Sequence, residues 1–259
     1  MTTPSFAPLD RLDGQVAVIT GGSGAIGMAS ARRLAALGAR VVLLDRADAA
    51  QAAPLQASLP GDGHFAVQAS VTDTPSLHRA AAEVLERTGG ASILINAAGY
   101  TQAVHTGDLD GLTDELIDAM FAVHWRGSFA SIRAFAPQMK AQAAKGGDAV
   151  VVNLSSIAGQ NGQGSNLAYA AAKAAVDAMT KGLAKSLGPQ IRLLAVAPGV
   201  VDTAFVAGRD AGFNERVGAT LPLKRVGVAD DVAAAIVACC TLMRYATGSV
   251  FTADGGRHL

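Results

Sequence analysis

The chain has 259 residues, half of them apolar and 16% charged, with 29 glycines and a net charge of zero. A soluble domain ordinarily carries about 25% charged residues, so polar cover is thin, but the length suffices for a buried core without disulfides or metals. Electroneutrality lacks the basic surplus of a nucleic-acid or anionic-membrane binder. The apolar run 232–243 also falls short of the about 20 residues of a membrane span.

In chain order, residues 15–20 read as a buried strand and 25–37 as a helix stopped by Gly38. Strand 40–45, helix 47–59, strand 64–69, helix 74–88 and strand 92–96 follow. A long helix is expected over 113–145, then strand 149–154, helix 167–188 and strand 191–197. Helix 230–243, with Asp230 as its cap, and strand 248–252 complete the set. The strands are mostly continuous apolar runs, as expected of a parallel sheet covered on both faces. Alternation of the two element types over the whole length predicts an α/β doubly wound sheet of the Rossmann type in a single domain, 1–259. An irregular N-terminus is expected over 1–12. The irregular stretch 202–228 is too long for an ordinary connection and reads as a lid.

The N-terminal segment, with Asp10, Arg11 and Asp13, lacks the apolar centre of a signal peptide, so a cytoplasmic chain with no membrane or nucleic-acid partner is expected. Cys239 and Cys240 are adjacent on a helix, where neighbours point about 100° apart and rarely bridge. They read as small buried hydrophobes in a reduced compartment. The five histidines show no metal-ligand spacing, and no metal is expected.

The first strand runs directly into Gly21-Gly22-Ser23-Gly24-Ala25-Ile26-Gly27 and then a helix. Glycines there let the backbone turn tightly and approach a pyrophosphate, whose charge meets the free N–H groups of the helix N-terminus. Asp45 ends the second strand, 18 residues after Gly27. A carboxylate in that place can accept hydrogen bonds from both ribose hydroxyls of an adenosine and repels a 2′-phosphate. With no Arg or Lys inside the turn, the expected cofactor is NAD rather than NADP, although Arg46 beside Asp45 could favour a phosphate.

Tyr169 and Lys173 are four apart on a helix and share one face. A phenol of pKa near 10 is a poor base at neutral pH, and a neighbouring ammonium together with a cationic nicotinamide would lower it. Tyr169 is then a general acid/base for hydride transfer, with Ser156, at a strand end, holding the substrate oxygen. Lys173 would also bind the nicotinamide ribose.

The glycine turn, Asn96-Ala97-Ala98-Gly99, Asn153-Leu154-Ser155-Ser156, Tyr169-Ala170-Ala171-Ala172-Lys173, Pro198-Gly199 and Asp254-Gly255-Gly256 occur in an order and spacing that resemble the short-chain dehydrogenase/reductase family over roughly residues 12–256. The resemblance implies a seven-stranded sheet, a Ser156–Tyr169–Lys173 catalytic set and an NAD site. That site would take in Gly21, Ser23, Gly24, Ile26, Gly27, Asp45, Ser70, Val71, Asn96, Ala97, Ala98, Gly99, Tyr169, Lys173, Pro198, Gly199, Val201 and Thr203, the last at the family position that contacts the nicotinamide carboxamide. Several positions depart from the family pattern. Ala25 replaces the middle glycine, Ala97 replaces a second Asn, and Ser70 replaces an acid near the adenine. His124 stands where the family usually has an Asn that anchors a relay water. Imidazole both donates and accepts, so His124 is expected to join the relay and the catalytic set.

The resemblance places the substrate among Ser156, Tyr169, the segment after Gly99 and the loop after Gly199, where Arg209 and Arg216 could meet an anionic group. The small-molecule substrate expected is a secondary alcohol or ketone. A 3-oxoacyl-thioester reductase and a non-catalytic dinucleotide-binding sensor are the competing readings. The Ala-rich helix 168–179 is apolar nearly all round, which implies burial on more than one face, and the resemblance implies a homotetramer.

Overall fold

The computed structural model describes residues 11–259; the expected irregular N-terminus lies outside the described residues except for Arg11 and Leu12. Seven parallel strands form one sheet: β1 Val16–Thr20, β2 Arg40–Asp45, β3 Phe65–Gln68, β4 Ile93–Asn96, β5 Val150–Leu154, β6 Arg192–Pro198 and β7 Val250–Ala253, in the order β3-β2-β1-β4-β5-β6-β7. The helices are α1 Ala25–Ala36, α2 Ala49–Ala57, α3 Thr74–Thr88, α4 Asp114–Phe121, α5 Gly127–Ala144, α6 Ala158–Asn161, α7 Leu167–Leu187, α8 Phe213–Thr220 and α9 Ala229–Thr241.

Alternation along each strand explains why the runs are continuously apolar. On β1, Val16 and Val18 pack into one core while Ala17 and Ile19 pack into the other. The first core takes Leu77 of α3, Phe135 and Met139 of α5 and Val176 of α7. The second takes Leu34 of α1 and Val232 and Ile236 of α9. Successive strand side chains point to opposite faces, so a sheet covered on both sides has no face left for polar residues. Cys239 and Cys240 are both buried and unbridged on α9, and burial raises the pKa of both thiols, that of Cys239 to about 11.

The expected helix 113–145 is two helices. Between α4 and α5, Ala122–Arg126 forms a π-helical turn that contains His124. The extra residue re-aims the side chains that follow, which periodicity does not reveal because the apolar pattern continues through it; such bulges are frequent at functional sites. The expected lid contains α8, and α6 follows β5 where no helix was expected. The last helix starts at Ala229: Asp231 accepts the Val228 N–H at 2.8 Å, while Asp230, expected as the cap, pairs with Arg33. Among the described residues no helix is long and apolar enough to cross a membrane.

Neighbouring β1 and β4 run to crossovers on opposite sides of the sheet, and the crevice at their C-terminal ends is where ligands bind in such sheets. Every candidate residue described below lies at or beyond those strand ends.

Candidate active site

A cleft of about 1240 Å³ opens across the C-terminal ends of the strands, larger than the ~300–1,000 Å³ of a typical small-molecule pocket. At one end lies the turn between β1 and α1. Gly21 has φ +65°, and a Cβ on Gly27 would overlap the carbonyl oxygen of Gly21, so this close turn excludes side chains at both places. Gly24 caps α1 with no side-chain hydrogen bond, which leaves the first-turn N–H groups without partners inside the helix. Ala25, in the place of the family's glycine, lines the cleft and begins the helix.

Asp45 ends β2 beside this turn. Its Oδ2 accepts the Ser23 N–H at 3.0 Å and its Oδ1 accepts the Arg46 N–H at 2.7 Å. Two backbone bonds thus fix the carboxylate against the glycine turn. The Ser23 hydroxyl is buried and has no partner among the described residues. An orphaned hydroxyl, fixed carboxylate and uncapped helix N-terminus together fit an adenosine diphosphate: a hydrogen-bond acceptor for Ser23, a ribose for Asp45 and a pyrophosphate for the helix.

Farther along, β5 delivers Ser156 and α7 delivers Tyr169 and Lys173 to the same cleft wall. The start of α7 is set by Asn166, whose Oδ1 accepts the Tyr169 N–H at 2.7 Å while its Nδ2 donates to the Gln102 carbonyl at 2.7 Å. This cap, three residues before Tyr169, escaped the sequence reading although an Asn ahead of an apolar helical run is its ordinary signal. Lys173 is 4% exposed, and its Nζ donates to the Leu154 carbonyl at 2.6 Å.

Burial raises the Tyr169 pKa to about 12, opposed by a hydrogen bond with Ser156. Burial lowers that of Lys173 to about 7, opposed by the charge of Asp177. The expectation that the lysine would lower the phenol is therefore corrected for the protein by itself: Nζ stands 5.6 Å from the centre of the Tyr169 ring and gives its hydrogen bond to Leu154. Asp177, one turn beyond Lys173, is buried, bonded to Ser155, and retains one oxygen without a partner. Neither Ser155 nor Asp177 was singled out in the sequence.

His124 is 1% exposed, its ring edge-on to Tyr169. Its Nε2 meets the Tyr100 carbonyl at 2.8 Å, so this nitrogen carries the proton, and Nδ1 is a buried acceptor without a partner. Burial, reinforced by the charge of Lys173, lowers its pKa to about 3. A relay through this ring would have to discharge its proton onto a peptide carbonyl, which cannot keep it. The geometry therefore supports a neutral positioning group in place of the expected relay member.

Of the other expected residues, Gly21, Ser23, Gly24, Ile26, Gly27, Asp45, Ser70, Val71, Ala97, Ala98, Gly99, Pro198, Gly199, Val201 and Thr203 all line the cleft. Asn96 does not. It is buried behind the wall, where its Nδ2 donates to Asn153 Oδ1 at 2.8 Å and ties β4 to β5. The cleft also gains Phe205, whose ring centre lies 5.9 Å from that of Tyr169, and Arg257 from the C-terminal tail. Arg216, expected at the substrate, is instead held by both oxygens of Asp210.

A family model described as enoyl-(acyl carrier protein) reductase matches residues 21–258. The chain is 35% identical over 252 residues to a protein of Streptomyces violaceoruber named as a ketoacyl reductase of a granaticin polyketide synthase, covering 96% of this chain and 98% of the relative. It is 33% identical over 260 residues to a sorbitol dehydrogenase of Cereibacter sphaeroides, covering 95% and 98%. Its fold matches that of a 3-ketoacyl-(acyl-carrier-protein) reductase from Brucella melitensis, solved with NADH, at a TM-score of 0.85 and 30% identity over 95% of this chain and 99% of the other. A matched sheet, a matched family model and Ser156, Tyr169 and Lys173 on one wall make this chain an oxidoreductase of the short-chain dehydrogenase/reductase family.

Proposed function

We propose that this protein transfers a hydride between NAD(H) and a secondary alcohol/ketone pair, with Tyr169 as the general acid/base. The observation that carries the reading is the convergence of Ser156, Tyr169 and Lys173 on the cleft whose far end holds the glycine turn and Asp45. When bound, the dinucleotide supplies the hydride donor or acceptor. Gly21–Gly27 would cradle its pyrophosphate, Asp45 its adenosine ribose, and Lys173 its nicotinamide ribose through the N–H groups that Leu154 does not take.

At rest the phenol is protonated, because burial holds its pKa near 12. In ketone reduction it gives that proton to the carbonyl oxygen, which Ser156 holds by its hydroxyl, and the charge left on Tyr169 is met by the Lys173 ammonium. In alcohol oxidation Tyr169 must first lose its proton, so that direction gains from rising pH. His124 packs against the Tyr169 ring and stays neutral.

Asp45 supports NAD over NADP by repelling a 2′-phosphate. The ketoacyl reductases among the relatives keep 3-oxoacyl thioesters as the second substrate reading. A homotetramer is part of the proposal. On α7, Ala171, Ala174 and Ala178 are exposed away from the sheet, and Trp125 is 36% exposed nearby in sequence to α5, so small side chains leave room for close approach by a second copy.

The test is turnover of secondary alcohols and β-ketoacyl thioesters with NAD(H) and NADP(H), in wild type and Tyr169→Phe. Turnover with NAD(H) that falls ~10²–10⁴-fold in Tyr169→Phe, with dinucleotide binding retained, is expected. Full turnover in Tyr169→Phe overturns the assignment, and a monomeric mass in light scattering overturns the assembly.

A further inference from the structure

The cleft carries two arginines that form no ion pair among the described residues. Arg209, on the segment between β6 and α8, donates through Nη1 to the Val201 carbonyl at 3.1 Å and lies 4.6 Å over the ring of Phe213. Arg257 follows the Asp254-Gly255-Gly256 turn after β7. Both line the cleft. Burial lowers the Arg209 pKa, opposed by the charge of Asp202, and Arg257 adds a smaller lowering.

The acids around them are otherwise engaged. Asp210 holds Arg216 with both oxygens. Asp254 accepts from the Gly256 and His258 backbones and from the His258 ring. Asp202 attracts Arg209 electrostatically, but its Oδ1 accepts from Asn214. Among the described residues neither Arg209 nor Arg257 forms an ion pair.

Two guanidinium groups without an ion-pair partner on one cleft suit an anionic ligand, because the planar fork matches carboxylate and phosphate oxygens. The sheet order separates this pair from the dinucleotide end: Asp45 closes β2, whereas Arg257 follows the edge strand β7 on the other side of β5 and β6. Phe205, four residues before Arg209, packs on Tyr169 and so joins the arginine segment to the reacting end.

We infer that Arg209 and Arg257 form a binding site for an oxyanion group of the substrate, a carboxylate or a phosphate ester, remote from the carbinol that Tyr169 serves. The inference rests on the dehydrogenase reading above and adds the substrate class: hydroxy and oxo compounds that carry an anion.

Two matched pairs of substrates test it with the full chain and NAD(H). 3-Hydroxybutyrate against its methyl ester reads a carboxylate. Acetoacetyl-CoA against the acetoacetyl thioester of N-acetylcysteamine reads phosphates. Expected is a preference for the anionic member of at least one pair. In Arg209→Gln and in Arg257→Gln that preference falls about ten- to hundredfold in kcat/KM, the range for a hydrogen bond to a charged group. The neutral member and the KM for NAD stay unchanged, and Arg209→Lys keeps part of the preference. The first pair responding assigns a carboxylate, the second a phosphate.

Neutral and anionic members turned over equally well overturn the inference and leave the dehydrogenase reading standing. A rise in the KM for NAD also overturns it, by giving the arginines to the cofactor. If no substrate is turned over, the dehydrogenase reading fails separately. Calorimetry with acetoacetate and with inorganic phosphate on the NAD complex then decides the anion site: binding lost in Arg209→Gln/Arg257→Gln supports it, and absence of binding to wild type overturns it.

Discussion

The imidazole of His124 stands edge-on to the phenol ring of Tyr169, the ring centres 5.2 Å apart and the planes at 83°. Edge-to-face packing of this kind contributes about 0.5–1.5 kcal/mol beyond burial. Its greater consequence here is electrostatic. The His124 imidazole, packed against the Tyr169 ring, is kept neutral by burial and by the charge of Lys173, against the opposing hydrogen bond to the Tyr100 carbonyl.

That neutrality gives His124 a signature in stability. Its pKa falls from 6.5 to about 3 on folding, so below 6.5 the unfolded chain binds a proton that the folded chain refuses. Stability from this residue is complete above pH 6.5 and is lost as pH falls toward 3, by about 1.4 kcal/mol per pH unit inside that window. In His124→Asn the lost packing weakens the protein equally at every pH, but the acid-side slope flattens. Urea unfolding at pH 7 and pH 5 measures the difference; equal slopes in the two proteins would remove the buried neutral imidazole.

Asp177 holds the Lys173 ammonium against the pull of burial. In Asp177→Asn the lysine loses that support and its pKa drops further below about 7. The limb of the kcat/KM profile set by Lys173 should therefore move to lower pH, with His124 and Tyr169 still facing the lysine. A profile that scales down without moving would make Asp177 merely structural.

Asp45 is fixed by the Ser23 and Arg46 N–H groups, so its charge cannot swing away from an incoming 2′-phosphate. In Asp45→Ser, kcat/KM with NAD should fall about tenfold or more, as for the loss of charged hydrogen bonds, and kcat/KM with NADP should rise. Cofactor preference unchanged by this substitution would count against the carboxylate as the discriminating group.

Asn166 ties the first turn of α7 to Gln102 and caps the Tyr169 N–H. Asn166→Ala should cost about 1 kcal/mol in thermal or chemical unfolding, within the usual ~0.5–2 kcal/mol range for a cap. It should lower kcat more than it raises the KM for NAD, because Tyr169 loses its anchor while the glycine turn is untouched. Asn166→Ser, which keeps a capping oxygen, should recover most of the stability.

The sheet, α1, α3, α7 and the glycine turn were legible in the sequence, because each rests on a local signal: a continuous apolar run between breakers, a 3.6-residue period, or a motif whose members lie a few residues apart. What needed the tertiary structure is of another kind. The π turn at Ala122–Arg126 changes the hydrogen-bond ladder without changing the apolar pattern, so an unbroken helix was expected where His124 is in fact turned onto Tyr169. Asn96 carries a cofactor motif's signature, yet Asn153 claims its amide from the next strand. Arg209 and Arg216 look alike in the chain; Asp210 neutralises Arg216, while the fold brings Arg257 to the same cleft as Arg209. Chain order by itself thus determined the scaffold and the chemistry it can hold, whereas which charge is paired, which ring is neutral and which residue faces the cleft depend on partners brought together only by packing.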